Sequence, residues 1–159
     1  MGGGATPESY AEPKPSVPTL TRRPEAAYTG DMPWLEYLAV GIGGFVGAIA
    51  RHGIGGFVQR QAGDGFPAGT ITINLVGCFL IGTMAAIAET SEGLDERMRL
   101  VFLVGLLGSF TTFSTFGNDT FVLIRDGRFR IAIAYATLSV VGGLGAVILG
   151  RSTARFLGI

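Results

Sequence analysis

Charged side chains are scarce in this sequence: 15% of its 159 residues are Asp, Glu, Lys or Arg. A soluble domain carries about 25%. The deficit falls in blocks. No charge occurs for 24 residues between Asp64 and Glu89, for 19 between Arg99 and Asp119, or for 20 between Arg130 and Arg151. Each gap matches the roughly 20 residues that a helix needs to cross a hydrocarbon core of about 30 Å. A fourth stretch, Trp34–Val58, holds only Glu36 near its start and Arg51 deep within it. Cysteine and histidine are nearly absent. Cys78 is single, so no intramolecular disulfide can form, and it reads as a small packed hydrophobe. One histidine, His52, leaves no Cys/His cluster with metal-ligand spacing and no credible Ser–His–Asp set. The formal net charge of zero argues against a basic nucleic-acid face. Proline is rare outside the N-terminus, where residues 1–33 hold six of the seven. That segment has scattered charge and no apolar periodicity, and is expected to be a disordered tail. It lacks the basic-then-apolar layout of a secretory signal.

What is present is apolar sequence rich in glycine. Mean hydropathy is +0.46, and most of the 26 glycines lie within the apolar stretches. Small residues let helix backbones approach in a membrane. In a soluble helix each interior glycine costs roughly 1 kcal/mol. The expected fold is therefore an all-α membrane protein with four spans in residues 34–159. Their expected limits are Trp34–Gln59, Pro67–Ala88, Arg97–Ile124 and Phe129–Leu149. Trp34 and Tyr37 suit the interface, Pro67 suits a first helical turn, and Asp126–Gly127–Arg128 reads as a tight turn. Four spans place both termini on one side. That side collects seven cationic residues (Lys14, Arg22, Arg23, Arg97, Arg99, Arg151, Arg155) against four opposite (Arg60, Arg125, Arg128, Arg130). Without the three in the tail the count is even, so the core has almost no orientation preference.

Polar residues at membrane depth are costly and normally face a bundle interior or an aqueous path. Asn74 lies about two turns past Pro67, and Arg51 is well inside the first span. Tyr135 and Ser139 are four apart, on one face of the fourth. Asn74 can be interhelical glue or a pore group. Ser139 can bond back to its own helix or point inward. Tyr135 reads as inward-facing rather than an interface anchor. Gly108–Phe116, Gly-Ser-Phe-Thr-Thr-Phe-Ser-Thr-Phe, packs five hydroxyl side chains into the seven residues Ser109–Thr115. It is where the third span is expected to break mid-membrane. A break frees backbone groups that only protein, water or an ion can satisfy. Freed carbonyls suit a cation and freed N–H groups an anion. Phe113 and Phe116 can share a helical face beyond the break, and their electropositive ring edges suit an anion path.

In order along the chain, Gly43-Gly44 through Gly47-Ala48 with Arg51, then Gly69-Thr70 with Asn74, Gly77 and Phe79, then Gly108–Phe116, resemble the motifs of the small fluoride channels, also called CrcB or Fluc proteins. The resemblance covers about residues 38–157. It implies an antiparallel, dual-topology homodimer in the cell membrane, with two fluoride pores; some members pair instead with a paralogue. It implies a structural sodium ion at the dimer centre, held by backbone carbonyls that match Gly108 and Thr111. By motif position Asn74, Phe113, Phe116 and Tyr135 are expected to line the pore, with Ser139, Thr112, Ser114 and Thr115 in a hydroxyl track and Arg51 at the vestibule. Two positions depart from the family pattern. Ser109 replaces the usual second glycine of the break and would be strained at positive φ. Asp119 replaces a glutamate, keeping the charge with a shorter reach.

The implied activity is passive fluoride export that lowers internal fluoride. Fluoride is small and strongly hydrated, so losing its water demands replacement donors. Asn, Thr, Ser and Tyr provide them without a fixed charge that would hold the ion too tightly, and weak multi-site binding favours conduction. Two alternatives are a four-span proton-coupled multidrug exporter, which needs a carboxylate inside its first span, and a membrane assembly subunit that does not transport. No catalytic set points to an enzyme.

Overall fold

The computed structural model describes residues 33–90 and 96–158. The tail expected over 1–33 lies outside the described residues except for Pro33, which opens the first helix. All described elements are helical. They are α1 (Pro33–Ala62), α2 (Ala68–Thr90), α3 (Glu96–Arg99), a π-wound segment (Leu100–Leu107), α4 (Gly108–Phe110), α5 (Phe113–Arg125) and α6 (Phe129–Phe156). Among the described residues four stretches are long and apolar enough to cross a membrane: Trp34–Ala62, Ala68–Glu89, Arg97–Arg125 and Phe129–Phe156, with mean hydropathies of 1.3, 2.0, 1.7 and 2.0. The chain is a multi-pass membrane protein.

The helices outrun the hydrophobic runs that specify them. α6 extends past Leu149 to Phe156 and α1 past Gln59 to Ala62. At 1.5 Å per residue a 28-residue helix is about 42 Å long, so its ends reach the headgroup layer. Arg151, past the apolar run of α6, donates to both carboxylate oxygens of Glu89 at the end of α2, each at 2.6 Å. The α1–α2 and α5–α6 connections are short. Gln59 on α1 bonds the carbonyls of Gly63 and Phe66 and accepts from the Gly69 amide at 3.0 Å, closing the α1–α2 turn. Gly127 takes φ 73° between α5 and α6, a conformation that favours residues without a Cβ.

α2 packs along α6, and α1 packs along the π-wound segment. Both pairings depend on absent side chains. A Cβ on Gly47 would overlap the Leu106 carbonyl, and one on Gly150 would overlap the Phe79 carbonyl. Thr83 strengthens the α2–α6 contact: its hydroxyl meets the Phe79 carbonyl at 3.0 Å and the Gly150 carbonyl at 3.2 Å. The buried core is small and gathers Ile71, Leu123, Ala132 and Tyr135, with Phe66, Leu75, Phe116 and Ile131 against it. Much of the remaining apolar surface is exposed on the single chain, including Ile42, Phe45, Ile49, Val140, Val141 and Leu144. Lipid is a good solvent for such side chains.

Candidate functional site: two cavities meeting at Thr112

Within the third span the helix stops at Phe110 and restarts at Phe113. Thr111 (φ −85°, ψ 157°) and Thr112 (φ −151°, ψ 120°) are extended between them. Ser109 is helical, and the only positive-φ residues among those described are Gly63, Gly127 and Gly158. Serine at this position therefore carries no backbone strain. Its Oγ would lie 3.1 Å from a Cβ on Gly44, so the hydroxyl sits over the α1 glycine face.

Two side chains shape the interruption. The Asn74 Nδ2 donates to the Thr112 carbonyl at 3.2 Å, and its Oδ1 accepts from the Thr112 amide at 2.9 Å. One carboxamide thus satisfies both backbone groups of a residue that has left the helix. Net contributions of about 1 kcal/mol per bond are typical, and an unpaired buried group costs more. Thr112 in turn caps α5: its Oγ1 accepts from the Thr115 amide at 3.3 Å and contacts the hydroxyls of Ser114 at 3.1 Å and Thr115 at 3.2 Å. That is the standard role of threonine at a helix start. Thr111 points the other way. Its amide and its hydroxyl both donate to the Leu107 carbonyl, at 3.2 and 3.1 Å. The carbonyls of Gly108, Ser109, Phe110 and Thr111 accept no hydrogen bond from another of the described residues.

Two cavities adjoin this segment. The smaller, about 330 Å³, is lined among others by Asn74, Gly108, Thr111, Thr112, Phe113, Phe116 and Ser139, and none of the described residues that line it is charged. Among the described residues the buried Ser139 Oγ has no hydrogen-bond partner, so the back-bonded alternative is not adopted. The larger, about 670 Å³, opens beside Arg51, His52, Asp64, Asp119, Asp126 and Arg128, and also receives Thr115. Thr112 lines both. The extended threonine is thus the shared wall of a charged basin and an uncharged pocket.

Aromatic rings run alongside. Phe113 meets Phe116 at 5.4 Å, Phe116 meets Tyr135 at 5.4 Å, and Phe66 meets Tyr135 edge-on at 5.7 Å and 88°. Tyr135 is fully buried and lines neither cavity. Its hydroxyl reaches Asp119 Oδ2 at 3.4 Å, and the Thr70 hydroxyl donates to the same oxygen at 2.7 Å. Ser114 also lines neither cavity.

A family model described as CrcB-like protein, Camphor Resistance (CrcB), matches residues 38–151. The chain belongs to the CrcB family. CrcB relatives include proteins named fluoride-specific ion channel FluC. The one from Chloroflexus aurantiacus is 46% identical over 121 residues, 76% of this chain and 96% of the relative. That of Methylobacillus flagellatus is 41% identical over 116 residues, 72% and 91% of the two chains. FluC 1 of Nitrobacter hamburgensis is 41% identical over 126 residues, 79% of this chain and all of the relative.

In this CrcB chain the residues expected from sequence separate into groups. Asn74, Gly108, Thr111, Thr112, Phe113, Phe116 and Ser139 converge on the smaller cavity, and Arg51, Thr115 and Asp119 on the larger. Sequence reasoning missed the roles of Thr70, Phe66 and Gln59. The signal for Thr70 was available: it lies four residues before Asn74 and so shares its helical face. Nothing local marked Phe66, whose contact with Tyr135 is made between residues distant in sequence.

Proposed function

We propose that the protein is a passive fluoride-selective channel that lets fluoride leave the cytoplasm across the cell membrane, driven by the ion's gradient and the membrane potential. The observation that carries this reading is the smaller cavity. At span depth it offers an amide, hydroxyls and phenylalanine rings and no charged side chain, the surroundings a dehydrated small anion needs if it is also to leave. The names of the relatives agree. Ser139 has an unused buried hydroxyl and supplies one donor. The edges of Phe113 and Phe116 present positive potential, and Thr112, Ser114 and Thr115 carry the hydroxyl track towards the larger cavity. Arg51 faces that basin and offers an arriving anion a positive charge beside the carboxylates of Asp64, Asp119 and Asp126. Tyr135 and Asp119 hold the wall between α2, α5 and α6.

The working unit of this reading is an antiparallel dimer of the helical channel domain that begins at Pro33. α5 exposes Phe113, Ser114, Thr115 and Asn118 on the single chain, and lipid is a poor solvent for three of the four. A second copy covers them. The unpaired carbonyls of Gly108 and Thr111 suit a hard cation such as sodium, whose ligands are oxygens. Bound between subunits it would supply a fixed positive charge that organises the interface. A proton-coupled exporter is disfavoured because Glu36, the only carboxylate in α1, lies in its first turn. The chemistry is that of a channel, not an enzyme.

Purified protein in liposomes is expected to release fluoride, read by a selective electrode, and to retain chloride. A folded protein that releases no fluoride overturns the proposal. Ser139→Ala separates pore from scaffold. Removing an unsatisfied buried hydroxyl should leave thermal stability equal or higher, while fluoride efflux slows by about tenfold. Unchanged efflux in this variant removes Ser139 from the pore.

A further inference from the structure

Gly77 lies three residues after Asn74 on α2, so the two share a helical face. A Cβ built on Gly77 would overlap the Cγ2 methyl of Thr111 and lie 3.3 Å from Phe110 Cδ1. The methyl fills the notch left by the missing side chain. It cannot turn away without cost, because the Thr111 hydroxyl on the same Cβ is tied to the Leu107 carbonyl at 3.1 Å. On the other side of the Thr111–Thr112 peptide bond, Asn74 holds the Thr112 amide and carbonyl. One face of α2 therefore grips the extended pair at two points: an amide clamp on Thr112 and a glycine notch for Thr111. The Thr111 carbonyl lies between these grips and has no partner among the described residues. Its direction is set by both.

We propose that Gly77 is a positioning residue, whose notch seats the Thr111 methyl and thereby aims the Thr111 carbonyl. This rests on the channel reading and on that carbonyl as a cation ligand. A side chain at Gly77 displaces Thr111, rotates the carbonyl and weakens the cation site without touching the ion. The seat is specific to a methyl. Thr111→Ser deletes the atom a Cβ would strike and keeps the hydroxyl that bonds Leu107.

The test is a cycle of four full-length proteins: wild type, Gly77→Ala, Thr111→Ser and the double variant. Each is assayed for fluoride efflux from liposomes and for thermal unfolding in detergent, with sodium present or replaced by a large organic cation. Gly77→Ala is expected to reduce efflux about tenfold, and to lose most of the sodium-dependent rise in unfolding temperature. In the Thr111→Ser background the same change should cost less than about threefold, and the sodium-dependent rise should return. A penalty for Gly77→Ala that is equal in the two backgrounds, or absent from both, overturns the seat. Rescue of efflux and stability with no sodium effect in any protein leaves the seat standing and removes the cation reading. If the wild type releases no fluoride, the channel reading falls, and recovery of the unfolding temperature by Thr111→Ser still decides the seat.

Discussion

Asn74→Asp is expected to reduce fluoride efflux by at least about 100-fold, roughly 2.7 kcal/mol in a barrier. The substitution is nearly isosteric, so shape does not explain the loss. Asn74 donates to the Thr112 carbonyl and accepts from the Thr112 amide. An ionised aspartate can only accept. It keeps the bond to the amide and sets a carboxylate oxygen against the carbonyl. The freed carbonyl loses its partner at a half-buried site, a loss worth up to about 1–3 kcal/mol. The carboxylate also lines the uncharged cavity through which an anion is proposed to pass, and a charge at membrane depth is itself costly. The two effects have separate readouts. Electrode-monitored efflux reports the blocked path, and the size-exclusion profile reports whether the fold and its assembly survive. Efflux within about threefold of wild type would remove Asn74 from the path.

Phe113→Ile is expected to slow efflux by about ten- to 100-fold, with little effect on the stability of the individual chain. Phe113 is 82% exposed on that chain, so its replacement opens no cavity in the monomer core. What isoleucine lacks is the ring quadrupole. A phenyl edge presents partial positive charge to an anion and an alkyl group presents none. The ring also rests on Phe116 at 5.4 Å, and Phe116 rests on Tyr135 at 5.4 Å, so the series anchors the exposed ring to a fully buried one. Normal efflux from a stable Phe113→Ile protein would show that the phenylalanines serve packing or dimer contact only.

The site was legible to different depths at different residues. The hydroxyl-rich block after Gly108 marked the place where helical geometry fails, because β-branched threonines and a glycine occur together at span depth. Sequence could not say which two residues would be extended. That depends on Asn74, 38 positions from Thr112 in the chain, offering a carboxamide at the right height on α2. Ser109 teaches the converse. Read alone against a family glycine it suggested strain, but the turn is made at Thr111 and Thr112, in extended geometry that any residue can adopt, and Ser109 stays helical. The π-wound Leu100–Leu107 segment had no local signal. Its apolar sequence suits any helix, and its close packing on the α1 glycines is a property of two helices rather than one.

Sequence alone determined the number of spans, their order and the turns that join the first to the second and the third to the fourth, because each follows from local quantities: uncharged length against bilayer thickness, and glycine, proline or aspartate at the bends. It also fixed the chemical inventory of amides, hydroxyls and phenyl rings with few charges at depth. Only the tertiary structure decided which of these groups meet. Asn74 pairs with a backbone, Ser139 is left with a free hydroxyl, Tyr135 is walled in by Phe66 and Phe116, and Thr112 becomes the partition between two cavities. Those outcomes depend on the approach of α2 to α6 and of α1 to the third span. That approach is set by glycine notches and the carbonyls facing them, contacts between distant parts of the chain that no local reading can register.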